Sequence, residues 1–421
     1  MSGDLAWIDA AITAARPQAV GALLRYFRNL DAAQEAFQNA CLRALKSWPG
    51  NGPPRDPAAW LILVGRNAGI DEVRKRGRET ALPPEETISD LEDAEDDMAD
   101  RLDGAHYRDD ILRLLFICCH PDLPATQQIA VALRVVSGLS VTQIARAFVV
   151  SEAAMEQRIT RAKGRIARGD TPFETPGAVE RAERLSAVAA MVYLIFNEGY
   201  SAGAGETDQR APLCEEAIRL ARLLLKLFSA EPEIMGLNAL MLLHHARRAA
   251  RFDPDGAIIL MEDQDRRLWN RGMIAEGEAL IDKALRHRSP GQYQIQAAIL
   301  AVHATAATPA DTDWAQIDAL YAALERVAPS PIVTLNRAVA VSKVRGPGAA
   351  LEMIEPLGAR LGSYFNFHGT RGALLLQLGR GDEARAAFDQ AIALARTGAE
   401  AAHIRMHLDR LMKGGAKARA S

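Results

Sequence analysis

Apolar residues recur at helical spacing over most of this chain, which predicts an all-α fold. Leu23, Leu24, Tyr26 and Phe27 open one stripe. Asp31 then reads as the N-cap of a helix reaching about Lys46, in which Ala33, Phe37, Ala40, Cys41, Ala44 and Leu45 share a face. The stretch WPGNGPPRDP, Trp48 to Pro57, holds four prolines and two glycines and predicts an irregular loop. A further helix is predicted from Pro57 through AAWLILVGRNAGIDEVRKRGR, with proline in its first turn. Helical spacing resumes from about Tyr107 to Arg168 and again over the last 240 or so residues.

Two segments break the pattern. Glu85 to Asp103 carries ten acids and one base, and nothing in it is periodically apolar; like charges repel, so it reads as a linker. GDTPFETPG, Gly169 to Gly177, is a second. The predicted organisation is a helical domain over 5–80, an acidic linker over 81–106, a helical domain over 107–168, a short linker over 169–177 and a helical array over 178–413.

The end of the array repeats itself. In GALLLQLGRGDEARAAFDQAIALA, Gly372 to Ala395, Gly379 falls in a turn, and Ala384, Phe388, Ala391 and Leu394 line the second helix. About 35 residues upstream, RAVAVSKVRGPGAALEMIEPL has the same layout, near the roughly 34-residue tetratricopeptide period. Trp314 to Leu324 and Ile274 to Leu285 read as degenerate earlier pairs. Such pairs bury their faces only by stacking, which predicts an α-solenoid.

The most informative stretch is GLSVTQIARAFVVSEAAMEQRITRAKGRIAR. Ser140 stands three residues before Gln143, a capping-box spacing. Val141, Ile144, Ala145 and Phe148 point one way; a turn follows over Val149 to Ser151, and Ser151 caps the next helix. There Met155, Ile159, Ala162 and Ile166 form the buried stripe. A helix–turn–helix of this kind lays its second helix in the DNA major groove. Arg158 and Arg161 suit guanine edges or phosphates, Gln157 suits adenine, and Glu156 suits a cytosine amine; Ser151 and Lys163 complete the expected contact set. Arg134 to Arg168 holds seven bases and two acids, a local positive patch.

Composition narrows the setting. The 421 residues suffice for about three domains. The net charge of −3 places any nucleic-acid affinity in local patches. Four cysteines, at 41, 118, 119 and 214, form no C-x-x-C pair, which argues against a disulfide framework or zinc ribbon. The longest apolar run, Ala187 to Phe196, is ten residues, too short to span a bilayer, and the first charged residue is acidic, so a cytoplasmic protein is expected.

The first helical domain ends in a basic run, Arg74, Lys75, Arg76 and Arg78, after a loop and the tryptophan-bearing helix WLILVGRNAGID. This combination resembles region 2 of a bacterial RNA polymerase sigma factor. The helix–turn–helix, with QQIAVALRVVSGLS before it, resembles region 4. The lack of anything sizeable between them beyond the acidic linker is similar to the small extracytoplasmic-function group. The array, with YLIFNEGYSA and LMEDQDRRLWNR, resembles that group's subgroup with a tetratricopeptide-like extension.

That resemblance implies a promoter-specificity subunit, not an enzyme, whose partners are core polymerase (clamp helices and flap) and promoter DNA. It makes Asp31 to Leu45 the clamp-binding helix, with Glu35, Gln38 and Arg43 as contacts. It makes Pro49 to Pro57 the loop that captures a flipped −10 base, with Asn51, Arg55 and Asp56 its polar members. Trp60, Arg66, Asn67 and Arg74 follow on the next helix: the arginines suit phosphates and Asn67 a base edge, while Asp71 orients an arginine. The family's clamp helix usually opens D-A-E-D, and here it reads DAAQ, so polymerase affinity is expected to be weaker or to rest on Glu35. The alternative reading is a DNA-binding regulator with a repeat sensor that never joins polymerase; only a sigma factor needs the clamp helix and the capturing loop.

Other signals point to no chemistry. His403 and His407, and His244 with His245, have no evident third metal ligand, so no metal is expected. Cys118 and Cys119 read as buried small hydrophobes. SAGAGE, 201–206, lacks the features of a phosphate loop, no catalytic constellation is present, and no cofactor is expected. Glu262, Asp263, Gln264, Asp265 and Arg266, with Arg247, Arg248, Asn197 and Glu198, read as ion-paired helix surfaces inside the solenoid, as a concave ligand groove, or, the favoured reading because an acidic patch can mask basic helices, as a surface on which the array docks regions 2 and 4 intramolecularly.

Overall fold

The computed structural model describes residues 6–52, 54–77, 104–120, 122–148, 150–168, 178–200, 207–254, 256 and 258–395. The fold is all-α, and the described residues form no sheet. The chain divides into two compact units, Met1–Ile195 and Phe196–Ser421. The predicted acidic linker lies outside the described residues except for 104–106, which are already helical, and the 169–177 linker lies wholly outside them.

Three helices open the first unit: α1 (Ala6–Phe27), α2 (Leu30–Asn51) and α3 (Pro57–Gly77). They bury Leu23 and Leu24 of α1, Phe37 and Trp48 of α2, and Leu61 of α3 to 2% exposure or less. Gly65 marks the tightest crossing, since a Cβ there would stand 3.0 Å from the Ala36 carbonyl oxygen and 3.1 Å from Leu23. Trp48 sits between Trp7 (centroids 6.0 Å, stacked) and Trp60 (5.3 Å, edge-on).

The structure corrects three local expectations. The cap of α2 is Asn29, whose Oδ1 accepts from the Ala32 amide at 3.0 Å, and Asp31 lies in the first turn. The helix runs through Pro49 to Asn51 and stops at Gly52, whose φ of +79° suits glycine. Proline there removes one hydrogen bond, to the carbonyl of Leu45, a residue 47% exposed where water can serve it, while buried Trp48 anchors the turn. Leu45, expected on the buried stripe, faces outward.

The rest of the first unit comprises α4 (Gly104–Cys118), α5 (Ala125–Val135), α6 (Val141–Ala147), α7 (Glu152–Arg168) and the first part of α8 (Ala178–Tyr200). Arg16 of α1 donates from Nε to the Val135 carbonyl at 3.0 Å and from Nη2 to that of Arg134 at 3.3 Å, serving the end of α5 where cations suit the helix dipole. Cys118 and Cys119 are buried, Cys119 Sγ lies 3.3 Å from Met191 Sδ, and burial pushes the Cys118 thiol up to about 12.

The second unit is a succession of helices: α9 (Thr207–Leu227), α10 (Pro232–Ala246), α11 (Arg271–Leu285), α12 (Gln292–Thr305), α13 (Trp314–Val327), α14 (Pro331–Arg345), α15 (Pro347–Ile354), α16 (Gly358–Leu361), α17 (Phe365–Gln377) and α18 (Gly381–Leu394). Trp314 to Leu324 and Ile274 to Leu285, expected to be pairs, each lie within one helix. The last hairpin turns at Gly379 (φ +73°), and a Cβ on Gly372 would stand 2.6 Å from the Phe388 ring, so the missing side chain seats the large one.

Burial, reinforced by Arg247 and Arg251, pushes His244 down to about 3; burial, with Arg247 and Arg266, pushes His303 down to about 4. Both imidazoles therefore favour the folded state only when neutral. As pH falls below the ordinary value of 6.5, the unfolded chain takes up protons that the folded chain refuses, so stability is full near pH 7 and declines towards pH 4. We expect each to cost up to about 2 kcal/mol between pH 7 and pH 5. Thermal melts across that range should show the decline, and His303→Phe should flatten it.

Candidate nucleic-acid and polymerase interfaces

Both helices of the helix–turn–helix are capped as the sequence predicts, while Val149 of the turn lies outside the described residues. Ser140 Oγ accepts from the Gln143 amide at 3.1 Å, and the Ser140 amide donates back to Gln143 Oε1 at 2.8 Å. Ser151 Oγ accepts from the Ala154 amide at 3.2 Å and starts α7. Met155, Ile159, Ala162 and Ile166 are its buried residues. That stripe fixes the opposite face outward: Ser151, Glu156, Gln157 and Arg161 are exposed and Arg158 is half-buried.

The seven basic residues do not share one role. Arg134 Nη1 donates to the Leu139 carbonyl at 3.0 Å. Arg165 Nη1 reaches the Asp122 carbonyl and Gln127 Oε1, each at 3.4 Å. Lys163 Nζ donates to Asp31 Oδ1 at 2.8 Å and to Gln34 Oε1, both on α2. Among the described residues, Arg146, Arg158, Arg161 and Arg168 make no side-chain hydrogen bond or ion pair. Sequence reasoning did not single out Arg146 as a contact, although its place beside Ala145 and Ala147 on a helix with a buried opposite face was signal enough.

On α2 the expected polymerase contacts Glu35, Gln38 and Arg43 are exposed. Leu42 (59% exposed) and Leu45 (47%) join Glu35 and Gln38 at steps of three and four, giving one outward stripe of two polar and two apolar side chains. The two leucines were missed because a leucine at helical spacing reads as core. Gln34 is 6% exposed, so its DAAQ position is not free: it and Asp31 hold Lys163.

The expected base-capturing loop is shorter than Pro49 to Pro57, because Asn51 is the last, exposed residue of α2. Arg55 is exposed in the loop. Asp56 is half-buried and caps α3: its Oδ1 accepts from the amides of Ala58 at 2.9 Å and Ala59 at 3.1 Å. Trp60 is half-buried, its edge against Trp48. Arg66 and Asn67 are exposed, with the Arg66 guanidinium 4.8 Å above the Tyr26 ring. Asp71 and Arg74 lie on α3, and their side chains are outside the described residues. SAGAGE, His403 and His407 also lie outside them.

The cluster expected to form a docking patch is divided. Gln264 and Arg266 are buried, as is Arg247, whose guanidinium donates to Tyr200 Oη at 2.9 Å and Gln264 Oε1 at 3.3 Å. At the surface Asp265 pairs with Arg267 at 2.7 Å and Glu262 with Lys343 at 3.5 Å.

Among the described residues no helix is long and apolar enough to cross a membrane, and no group of His, Cys, Asp and Glu is placed to hold a metal. Residues 11–79 match the family Sigma-70 region 2, residues 113–166 match Sigma-70, region 4, and residues 184–285 match a family of unknown function, DUF6596. An uncharacterized protein of Rhizobium meliloti (strain 1021) is 71% identical over 408 residues, covering 97% of this chain and 96% of that protein. No solved structure matches. With both sigma regions present in order and a helical extension behind them, the chain belongs to the sigma-70 factors of the extracytoplasmic-function type, which act in promoter recognition.

Proposed function

We propose that this chain brings core RNA polymerase to its promoters by reading a −35 element with α7 and opening a −10 element with α3 and the loop before it. The reading rests above all on the outward face of α7, where Gln157, Arg158 and Arg161 stand clear of a fully buried opposite stripe. Arg158 and Arg161 read guanine edges or phosphates, Gln157 reads a base edge, and Ser151 and Glu156 flank them. Arg146 and Arg168 add phosphate contacts. In region 2, Asn51 and Arg55 border the flipped base, the half-buried Trp60 offers a stacking surface, and Arg66, Asn67 and Arg74 follow the strand. Asp56 acts through the loop's shape as the cap of α3.

Glu35, Gln38, Leu42, Leu45 and Arg43 face the polymerase clamp. Lys163 bridges the two regions in the free chain and is released to DNA when they separate. Lys163→Ala is accordingly expected to raise affinity for core a few-fold, the scale of an exposed ion pair worth about 1 kcal/mol; a fall would assign Lys163 to the complex. The extension consists of tetratricopeptide-like hairpins and governs activity in cis. With Asp265 paired to Arg267 and Glu262 to Lys343, only the exposed Asp263 of the Glu262–Arg266 stretch is left as uncommitted negative charge for masking the DNA-binding helices.

Run-off transcription with purified core, full-length protein and a genomic library tests the whole reading. Specific starts absent from core alone are expected. Arg158→Ala and Arg161→Ala should each cost about 1–3 kcal/mol of promoter discrimination where they read bases, or lower the salt slope by about one where they touch phosphate. No change on either count would move the recognition face elsewhere.

A further inference from the structure

The second unit holds an open-sided cavity of about 620 Å³, a volume suited to a small molecule. Its walls come from α10, α12, α13, α14 and α17, and three aromatic side chains, Trp314, Tyr321 and Phe365, line it. Two cations, Arg266 and Lys343, stand in the wall against one carboxylate, Glu262.

Arg266 is the decisive residue. It is only 8% exposed, and it meets no carboxylate within ion-pair distance among the described residues. Its Nη1 donates to the backbone carbonyls of His303 (2.7 Å) and Ala306, its guanidinium lies 4.9 Å above the Trp269 ring, and its Nε has no partner. The nearby carboxylate of Asp311 is engaged by the amide and hydroxyl of Thr308, at 3.0 and 2.7 Å. A buried guanidinium with no counter-ion is costly, and an anion held in the cavity offsets its charge. Also in the lining, Lys343 Nζ lies 5.5 Å above the Trp314 ring and is held to Glu262 only at 3.5 Å, with both partners about half exposed, so it is free to turn to a ligand. The two histidines in the wall, His244 and His303, are neutral near pH 7 and add hydrogen-bonding groups without charge.

We infer that this cavity binds a small organic anion, a carboxylate or phosphate ester with a planar apolar body, whose acid group meets Arg266 and Lys343 while its body lies against Trp314 and Tyr321. The extension then senses a metabolite-sized acid, and this inference stands whether or not the chain works at promoters.

Calorimetric titration of the full-length protein with indoleacetate, phenyl phosphate, indole and tryptamine tests it. At least one of the two anions is expected to bind one per chain, with indole and tryptamine at least about tenfold weaker. Lys343→Glu, at an exposed position, should weaken that anion by about tenfold, and Arg266→Gln should do the same where circular dichroism shows it folded. Absence of heat with both anions at millimolar concentration overturns the inference. So does equal or tighter binding of tryptamine, or anion binding indifferent to Lys343→Glu.

Discussion

Phe388→Ala is expected to cost about 3–5 kcal/mol and to melt the last hairpin of the extension. The ring is fully buried and sits in the space left by Gly372, where a Cβ would be 2.6 Å away. Glycine has no side chain to relax into the void, so the cavity cannot close and the upper part of that range applies. A loss of this size is a large share of the total stability of an ordinary domain. Hydrogen exchange should show α17 and α18 opening while α1–α7 keep their protection, because Phe388 packs in a cluster formed by residues 335–391 of the second unit. The same variant tests the extension's role: if it governs transcription in cis, run-off activity changes although every proposed DNA contact is intact. Unchanged activity with a melted hairpin would remove that role.

Leu42→Asp combined with Leu45→Asp is expected to reduce affinity for core polymerase by at least about thirtyfold, with little effect on folding. Neither leucine supports the region 2 bundle, being 59% and 47% exposed. In an interface, desolvated apolar anchors flanked by polar residues carry truncation costs of about 2 kcal/mol or more, and a buried unpaired carboxylate adds to that. Glu35→Ala should have a smaller effect, since a rim charge mainly alters the association rate. Binding of full-length variants to core, measured beside a thermal melt, separates the two contributions. A double variant that binds core as tightly as the parent would place the polymerase contact on another face.

The helix–turn–helix was the most legible part of the chain because its signals are local. The capping box of Ser140 and Gln143 spans three residues, and the stripe of Met155, Ile159, Ala162 and Ile166 depends only on helical period. Region 2 was less so. Counting prolines and glycines predicted a loop from Trp48, yet burying Trp48 between Trp7 and Trp60 carries the helix to Asn51. Asp56 read as a polar loop residue, and only the start of α3 revealed it as a cap.

By itself, then, the sequence determined the helical class, the helix–turn–helix with its outward face, and the family, because period, caps and motif order are encoded over short stretches. Which charges are spent inside the protein was settled by the tertiary structure alone. Of seven bases around the recognition helix, Arg134, Arg165 and Lys163 are engaged by Leu139, by Asp122 and Gln127, and by α2. Arg266, written among acids as if on a surface, is buried in a cavity wall. Charge is visible residue by residue, but apart from Arg134, whose partner is five residues on, the partners of these groups lie tens to more than a hundred positions away and meet them only when the chain is folded.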